Sequence, residues 1–329
     1  MYNNFEYNIT KEVILSKVSE EEIFKYYLGF EPSTVGSYVN KLRGDDDPGC
    51  SFYVNPKGVW KFNDFAGGFN WDCFNVVQYA YNCSFKEALL YIARDFNLIK
   101  GDKTILNYPA PIKREKPGMR IKSRSWTNAD YEIWRQWGIR EERLDFFYVK
   151  PLEKAWWVRE GKLEVSYFYT KNDPAYAYDF GNDQYQIYMP FRERGKRHLL
   201  VNTKIIMGYE QLPETATNLC ITKSFKDVMV FDIFSREFDL YAIAPASETI
   251  LLSLEAFKNL YNRFDNIGTL FDFDRAGIRL MRKYEKEYQL PFRMFGKSYK
   301  LQNIKDISDH NLIKGEDATR RLIESELKK

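Results

Sequence analysis

The sequence predicts an α/β protein in which a parallel sheet with helices on both faces is preceded by two smaller α+β units. Three observations support this fold class. Short apolar runs alternate with helical segments over residues 214–329, which is typical of a doubly wound parallel sheet. Residues 125–213 contain aromatic-rich runs that alternate in strand fashion. Residues 1–100 combine two helix-capping signatures with a pair of strand-like runs.

Length and composition fit a globular protein, with about two domains expected for 329 residues. The net charge is 49 − 46 = +3, which excludes a histone-like polycation and an acidic tail. The hydrophobic fraction of 44% excludes a disordered chain. No apolar run reaches roughly 18 residues, and the first residues mix acids and bases, so we expect no membrane span and no secretory signal.

The cysteines and histidines argue against structural metal. Cysteines stand at positions 50, 73, 83 and 220 without C-x-x-C spacing, and the chain has only two histidines. A zinc site and a disulfide scaffold are therefore not expected, and a reducing cytosol is the simpler setting. We expect Cys50 and Cys73 to be buried as small hydrophobic residues.

Residues 1–100 form the first predicted unit. Ser19 with Glu22 and Ser84 with Glu87 are capping boxes that each open a helix, and Gly29 ends the first of these helices. A third helix is expected from about 72 to 80. The runs SFYVN and VWKFNDF read as strands joined by a Pro-Lys-Gly turn.

Residues 101–124 read as a basic linker and residues 125–213 as a small basic subdomain. The linker has seven Lys or Arg, two acids and three prolines. It fits a solvated tether, with contact to a polyanion as the alternative. The next segment opens with a helix capped by Thr127 and ended by Gly138, followed by the strand-like runs AWWV, KLEVSYFY, AYAYDF, QYQIYMPF and HLLVN.

The strongest chemical signal is LFDFDRAG, in which Asp272 and Asp274 follow an apolar strand and precede a helix. Residues i and i+2 of a strand project to the same side. Two carboxylates about 4 Å apart repel by roughly 4 kcal/mol at an effective dielectric of 20, and Mg²⁺ or Mn²⁺ would relieve that repulsion. The alternative is a loop in which one acid caps the next helix.

Two further segments fall where such a site needs them. ITKSFKD places Lys223 and Asp227 after the first strand of residues 214–329, and KDISDH places Lys305, Asp306 and Asp309 after the fourth run. Ligands of doubly wound sheets bind beyond the carboxyl ends of the strands, so we expect these side chains to converge there.

These residues resemble a TOPRIM domain, the fold shared by DnaG-type primases, topoisomerases and some nucleases. DFDRAG matches the family's DxD motif, and KDISDH matches its primase-type acidic segment. The resemblance implies a TOPRIM-type parallel sheet, catalytic or metal roles for Asp272, Asp274 and Asp227, and metal binding by Asp306 and Asp309. Lys223 stands where the family has a Glu, and Glu248 is a candidate to supply the missing carboxylate.

The segment QIYMPFRERGKRHLLVNTKIIMGYEQL resembles the basic subdomain that precedes TOPRIM in DnaG-type primases. There it contacts template and incoming nucleotide, and charged side chains bind phosphate. The alternative is an ordinary charged hairpin. The implied nucleic-acid or nucleotide contacts are Arg192, Lys196, Arg197, Asn202, Lys204 and, from the acidic segment, Lys305.

The first hundred residues resemble the zinc-ribbon module of the same primases, but the four ligand positions fall on Asn40, Arg43, Phe62 and Phe65. No zinc is therefore expected. We expect packing to replace it, with two Phe rings each worth about 2–3 kcal/mol on burial and with Arg43 contacting an Asp of the GDDD loop. The candidates for template reading are Lys41, Arg43, Lys57, Trp60 and Lys61.

The resemblance covers roughly residues 17–100 and 120–315 and suggests a short primase-like protein of tailed phages, acting in the host cytoplasm. The leading function is a DNA primase, a metal-dependent nucleotidyltransferase that makes primers on single-stranded DNA from nucleoside triphosphates. The sequence contains no G-x-x-x-x-G-K-[ST], so a replicative helicase is expected in trans.

Two other functions stay open. A TOPRIM nuclease would use the same acids to cut a phosphodiester. A catalytically inactive, primase-derived DNA-binding or replisome protein would explain both the lost zinc ligands and Lys223, whose ammonium would then neutralise Asp272 or Asp274.

Overall fold

The computed structural model describes residues 9–44, 48–99, 111–112, 117–192, 197–200, 204–246, 250–272, 274–293, 299 and 302–327. Contacts divide the chain into two units, Met1–Gly118 with Trp157–Glu164, and Met119–Trp156 with Val165–Lys329. Within the described ranges, no helix combines the length and the apolar character needed to cross a membrane.

The first unit combines helices with a small antiparallel sheet in which β2 lies between β1 and β3. The predicted capping boxes at Ser19 and Ser84 are confirmed, and Gly29 ends its helix at φ +77°. The helices are α1 (Lys11–Leu15), α2 (Glu20–Leu28), α3 (Cys73–Tyr81) and α4 (Phe85–Asp95), and the strands are β1 (Cys50–Val54), β2 (Trp60–Asp64) and β3 (Phe69–Trp71).

The core of the first unit is dominated by aromatic rings between the helices and one face of the sheet. Phe24, Phe62 and Phe74 are fully buried there. Cys50 and Cys73 are buried in the same core, as predicted. Burial raises the pKa of the Cys73 thiol well above its usual range, so this sulfur stays protonated and packs as an apolar group.

The second unit begins with a sheet in the order β4-β5-β7-β8-β9, and β6 pairs with β5. The aromatic runs predicted as strands all lie in it. Its elements are β4 (Gly118–Ser123), α5 (Asn128–Arg135), α6 (Glu141–Phe146), β5 (Val149–Arg159), β6 (Lys162–Phe168), β7 (Tyr176–Asp179), β8 (Tyr185–Tyr188) and β9 (Arg197–Leu200).

Strand β4 corrects the predicted linker, which was placed over residues 101–124. The last of its three prolines is Pro117, and the strand begins one residue later. Met119 is buried while Arg120 is exposed, and this alternation suits a strand at the sheet rather than a tether.

The C-terminal part of the chain forms a second sheet, in the order β10-β12-β11-β13-β14. Strand β11 is parallel to β12 and β13, and β13 is parallel to β14, as the alternation of strands and helices predicts; β10 is antiparallel. The elements are β10 (Ile206–Met207), β11 (Ala216–Thr222), α7 (Phe225–Ile233), α8 (Ser235–Phe238), β12 (Leu240–Pro245), α9 (Leu254–Tyr261), β13 (Phe264–Leu270), α10 (Arg275–Tyr288), β14 (Phe292–Arg293), α11 (Ile307–Lys314) and α12 (Glu316–Leu327).

Helices cover both faces of this parallel sheet. On β12, Ile243 packs into one core with Phe257 of α9 and Leu280 of α10. Its neighbour Ala244 packs into the other core, with Val228 of α7. That second core also contains Trp134 of α5 and Tyr176 of β7. Strand β10 precedes the predicted boundary between 213 and 214 but pairs with β12, so this boundary divides both the core and the second sheet.

Candidate functional site

Several predicted site residues lie just beyond the carboxyl ends of neighbouring parallel strands. Thr222 at the end of β11 lies opposite Leu270 at the end of β13, so the residues that follow them meet. Helix α11 begins nearby, because Ser308 in its first turn donates a hydrogen bond to Asp227, which follows β11. We call this group the acidic edge; its members are Lys223, Asp227, Asp272, Asp274, Asp306 and Asp309.

The centre of the acidic edge is an ion pair between Lys223 and Asp272. The ammonium contacts Oδ2 of the carboxylate. Asp272 is 3% exposed, and a carboxylate buried to that degree requires a charged partner. The residue that replaces the expected Glu therefore supplies a cation directly beside the first Asp of the DxD motif.

Asp274, the second acid of the motif, caps a helix. Its Oδ1 accepts hydrogen bonds from the backbone N–H groups of Ala276, at 2.9 Å, and Gly277, at 2.8 Å. Asp274 is exposed and is the N-cap residue of α10. This position matches the alternative to metal binding, in which one acid of the motif caps the next helix. A metal role for Asp274 stays a prediction.

Gly277 allows α10 to begin close to Asp272. A Cβ atom at this position would lie 2.2 Å from the Asp272 carbonyl oxygen. The motif DFDRAG thus requires glycine at this position, because the backbone of α10 approaches the backbone of Asp272 closely. This close approach determines the positions of Asp272 and Asp274 relative to each other.

Asp227 is buried inside the edge and is held by two hydroxyl groups. Ser224 Oγ donates to its Oδ2 at 2.6 Å, and Ser308 Oγ donates to its Oδ1. Because Ser308 belongs to α11, this carboxylate joins the first turns of α7 and α11. The structure thus gives Asp227 a structural role; its catalytic role stays a prediction.

Asp306 and Asp309 both lie at the N-terminus of α11, Asp306 as the N-cap residue and Asp309 in the first turn. Asp306 caps the helix by accepting from the Asp309 N–H at 2.7 Å, and Asp309 Oδ2 accepts from the Lys305 N–H at 3.2 Å. Burial raises the pKa of the Asp306 carboxyl well above its usual range, and the nearby charge of Asp227 raises it further. This carboxyl therefore keeps its proton to a higher pH than an exposed aspartate does.

The acidic edge, as arranged here, does not fit a metal ion. No group of three or more possible ligands is in place among the described residues. The Lys223 ammonium forms an ion pair with the Asp272 carboxylate, and the Asp274 carboxylate caps the N-terminus of α10. Glu248, the predicted substitute carboxylate, lies outside the described residues. Magnesium or manganese binding stays a prediction.

The predicted phosphate contacts are only partly described. Arg192 donates from Nε to Asp173 Oδ2 at 2.9 Å in a bidentate ion pair, so much of its charge is already compensated. Lys204 and Lys305 are exposed. Lys196 and Asn202 lie outside the described residues, and Arg197 is placed only as the first residue of β9.

Asn40 and Arg43 belong to a buried polar cluster with Asp64 that the sequence analysis did not anticipate. Arg43 donates from Nε and Nη2 to the two carboxylate oxygens of Asp64, both at 2.9 Å. The Asn40 amide donates to the same carboxylate at 2.7 Å, and the Gly67 N–H donates at 2.7 Å. Asn40, Arg43 and Asp64 are all 2% exposed or less.

This cluster corrects three expectations. Phe62 is fully buried as predicted, but Phe65 is 66% exposed, so the two rings do not fill the volume together. Arg43 pairs with Asp64, outside the GDDD loop whose three Asp residues lie beyond the described ones. Its burial also excludes Arg43 as a template reader. The alternation Phe62–Asp64 on a strand was the available signal, because it places the acid on the buried face.

The remaining template-reading candidates differ in exposure. Lys41 and Lys57 are exposed, and Lys61 is half-buried on β2. Trp60 is half-buried, with its ring centroid 6.2 Å from that of Phe52, so it contributes to the core of the first unit.

No protein-family model matches the chain, and no curated protein matches it significantly in sequence. Among solved structures, a primase from Aquifex aeolicus (zinc-binding and RNA polymerase domains) is similar with a TM-score of 0.40 and 14% identity, over 95% of this chain and 84% of that chain. The primase fragment of the bacteriophage T7 primase-helicase protein gives 0.39 and 10%, over 85% and 94%. A structure of the T7 lagging-strand DNA polymerase with primase domains gives 0.33 and 12%, over 63% and 82%.

Proposed function

We propose that this chain is a primase-like protein of DNA replication that holds single-stranded DNA and whose acidic edge is closed by an internal cation. The observation that carries the proposal is the Lys223–Asp272 ion pair. A lysine ammonium already compensates the carboxylate that would otherwise demand a divalent ion. The parallel arrangement of β11, β12, β13 and β14 and the three sequence segments that resemble primases support this proposal.

Binding of single-stranded DNA is supported by a mixed basic and aromatic surface on two neighbouring strands, which we call the β4–β5 surface. Arg120 and Lys122 are exposed on β4. On β5, the Lys154 ammonium lies 5.0 Å from the centroid of the Trp156 ring. Cations that follow a phosphate backbone, interleaved with rings on which bases stack, are the usual means of binding single strands without sequence preference.

Primer synthesis is the second candidate, and one observation favours it. Burial and the charge of Asp227 raise the pKa of Asp306, and a divalent cation beside these carboxyl groups would favour their ionised form. In this case Mg²⁺ or Mn²⁺, nucleoside triphosphates and a helicase supplied in trans would be the partners.

The test measures oligonucleotide binding and primer synthesis on the same samples. We expect the wild-type chain to bind a labelled single strand with an affinity that falls steeply with salt, and to make no primer with Mg²⁺ or Mn²⁺. Arg120→Gln should reduce the salt slope by about 1, whereas Lys258→Gln, an exposed lysine of α9, should not. Lys122→Gln should have a smaller effect, because the Lys122 ammonium already donates to Glu153 at 2.7 Å. A metal-dependent primer that disappears in Asp272→Asn would establish the second candidate, and a chain that binds no single strand would refute both.

A further inference from the structure

The second unit contains a groove of about 500 Å³ between side chains of α11 and α12. The lining includes His310 and Lys314 of α11, Arg321 and Leu322 of α12, and Tyr299. We call it the α11–α12 groove. None of its residues belongs to the acidic edge or to the β4–β5 surface, so the groove is a separate feature of this unit.

The histidine of the groove is fixed between the two helices. His310 is 3% exposed, and its Nδ1 lies 2.8 Å from Oγ1 of Thr319, a residue of α12. The Thr319 hydroxyl donates its single hydrogen to the Gly315 carbonyl at 3.0 Å, so the imidazole N–H must be the donor to Thr319. The Tyr299 ring packs edge to face on the imidazole, with centroids 5.4 Å apart. These contacts hold α11 and α12 together beneath the groove.

The charged groups that line the groove are positive. Lys314 and Arg321 are exposed, and no lining residue in the part of the chain that the structure describes is an aspartate or a glutamate. The helix dipole favours a lysine in the last turn of a helix, so Lys314 by itself indicates no ligand. Arg321 lies in the middle of α12 and gains nothing from a helix end. Its presence in the same groove as Lys314 therefore favours an anion as the occupant.

The acids nearest to these cations on α12 do not line the groove. Arg320 forms ion pairs with Glu316 at 3.3 Å and with Asp317 at 2.6 Å. Glu324 follows Arg321 on α12 but is outside the lining. Within the described ranges, no ion pair involves either of the two basic residues of the groove, so both charges are available to a ligand.

An apolar wall lies beside the two cations. Ala318 and Leu322 lie on successive turns of α12, and Tyr299 adds an aromatic ring. The volume of about 500 Å³ lies within the roughly 300–1,000 Å³ typical of pockets for small molecules. The groove therefore has room for an apolar group in addition to the anionic one.

The number of cations indicates which anion fits. A phosphate monoester carries about −1.5 to −2 charges at neutral pH, which two cations compensate. Each phosphate of a nucleic-acid backbone carries about one negative charge. A guanidinium also binds a phosphate bidentately, which a single ammonium does not.

We propose that the α11–α12 groove binds a small phosphate monoester, with its phosphate between Lys314 and Arg321 and its apolar body against Tyr299 and Leu322. A small-molecule site of this kind goes beyond the proposed binding of DNA and does not depend on it.

The experiment uses the full chain and follows the imidazole signals of His310 by NMR at constant neutral pH. The chain has only two histidines, so His198→Gln leaves the signals of His310 alone. The main probe is phenyl phosphate, which combines a dianionic phosphate with a ring. Inorganic phosphate and phenol are the comparison probes for the two parts of the ligand.

We expect phenyl phosphate to shift the His310 signals saturably and to bind more tightly than inorganic phosphate, and we expect phenol to cause no shift. Arg321→Gln and Lys314→Gln should each weaken the binding of phenyl phosphate roughly tenfold, because each removes a charge-assisted hydrogen bond. Arg282→Gln, at an exposed arginine of α10 outside the groove, is the matched control and should not change the affinity.

Four outcomes would overturn the inference. A wild-type chain whose His310 signals do not respond to phenyl phosphate has no such site. Equal affinities of the Arg321→Gln and Arg282→Gln variants would mean that the groove does not bind the phosphate. Phenol that binds as tightly as phenyl phosphate would make the groove an apolar site. Displacement of phenyl phosphate by an oligothymidylate would assign the two cations to the phosphates of DNA, whereas binding of both ligands at once supports a separate site.

Discussion

The ammonium of Lys223 lies against Oδ2 of Asp272 at the carboxyl edge of the parallel sheet. The two residues are 49 positions apart in the chain and meet because β11 and β13 are adjacent and parallel. Lys223 thus compensates the buried carboxylate of Asp272 within the chain itself.

This pair should stabilise the second unit. The Lys223 and Asp272 side chains are 19% and 4% exposed, so Lys223→Met would leave a buried carboxylate without its cation. We expect a loss of roughly 3 kcal/mol in the free energy of unfolding, measured by urea denaturation. Lys258→Met, at an exposed lysine of α9, is the control and should change little. Equal effects of the two substitutions would mean that the ion pair contributes nothing.

Asp274 should behave as a helix cap. Asn also caps helices well, so Asp274→Asn should keep the stability of the wild type, whereas Asp274→Ala should lose about 1 kcal/mol. Thermal or urea denaturation of the two variants measures this difference. A loss of stability in Asp274→Asn as large as that in Asp274→Ala would show that the negative charge, and not the capping hydrogen bond, is what the position requires.

Local features of this fold were predictable from the sequence because their signals lie within one or two turns of chain. The capping boxes at Ser19 and Ser84 need only residues three apart, and both are present. The parallel arrangement of residues 214–329 follows from repeated strand–helix alternation. The pairing of Thr222 with Leu270 at the ends of β11 and β13 follows from the same alternation, because the carboxyl ends of parallel strands face the same way.

The pairings across the chain were not predictable to the same degree. Arg43 was expected to contact the acidic loop that follows it, but its bidentate partner is Asp64, 21 residues away on β2. Phe65 was expected to be buried, yet it follows the end of β2 and points to solvent. Which residues meet depends on strand register and turn geometry, and a single sequence gives residue types and local spacing only.

The Asp306 carboxyl should make the free energy of unfolding depend on pH. Its pKa is raised in the folded state by burial and by neighbouring acids, above an unfolded value of about 3.9. The folded state therefore holds this proton more tightly, and its stability falls as pH rises from about 4 through the folded pKa. Asp306→Asn removes this penalty and keeps a capping side chain.

The measurement is a series of urea denaturations from acidic to neutral pH. We expect Asp306→Asn to be more stable than the wild type at neutral pH, with a difference that shrinks as the pH falls. Asp265→Asn, at an exposed acid of β13, controls for the loss of one negative charge. A difference between Asp306→Asn and the wild type that stays constant across the range would contradict the assigned cause.

Because of the Arg43–Asp64 ion pair, we expect the first unit to fold without a bound metal ion. Both side chains are 1% exposed or less, so the ion pair lies inside the core of the first unit. Removing either partner leaves a buried charge uncompensated, so Arg43→Met and Asp64→Asn should each cost about 3–5 kcal/mol. The double variant should lose less than the sum, because neither charge then remains. Lys41→Met, at an exposed neighbour, is the control.

Melting curves with a chelator and with added zinc complete this test. We expect neither to shift the melting temperature of the wild-type chain, because the buried ion pair and the Asn40 amide already satisfy the polar groups of the cluster. A chelator that lowers the melting temperature, together with single variants as stable as the Lys41→Met control, would show that a metal and not this ion pair supports the fold of the first unit.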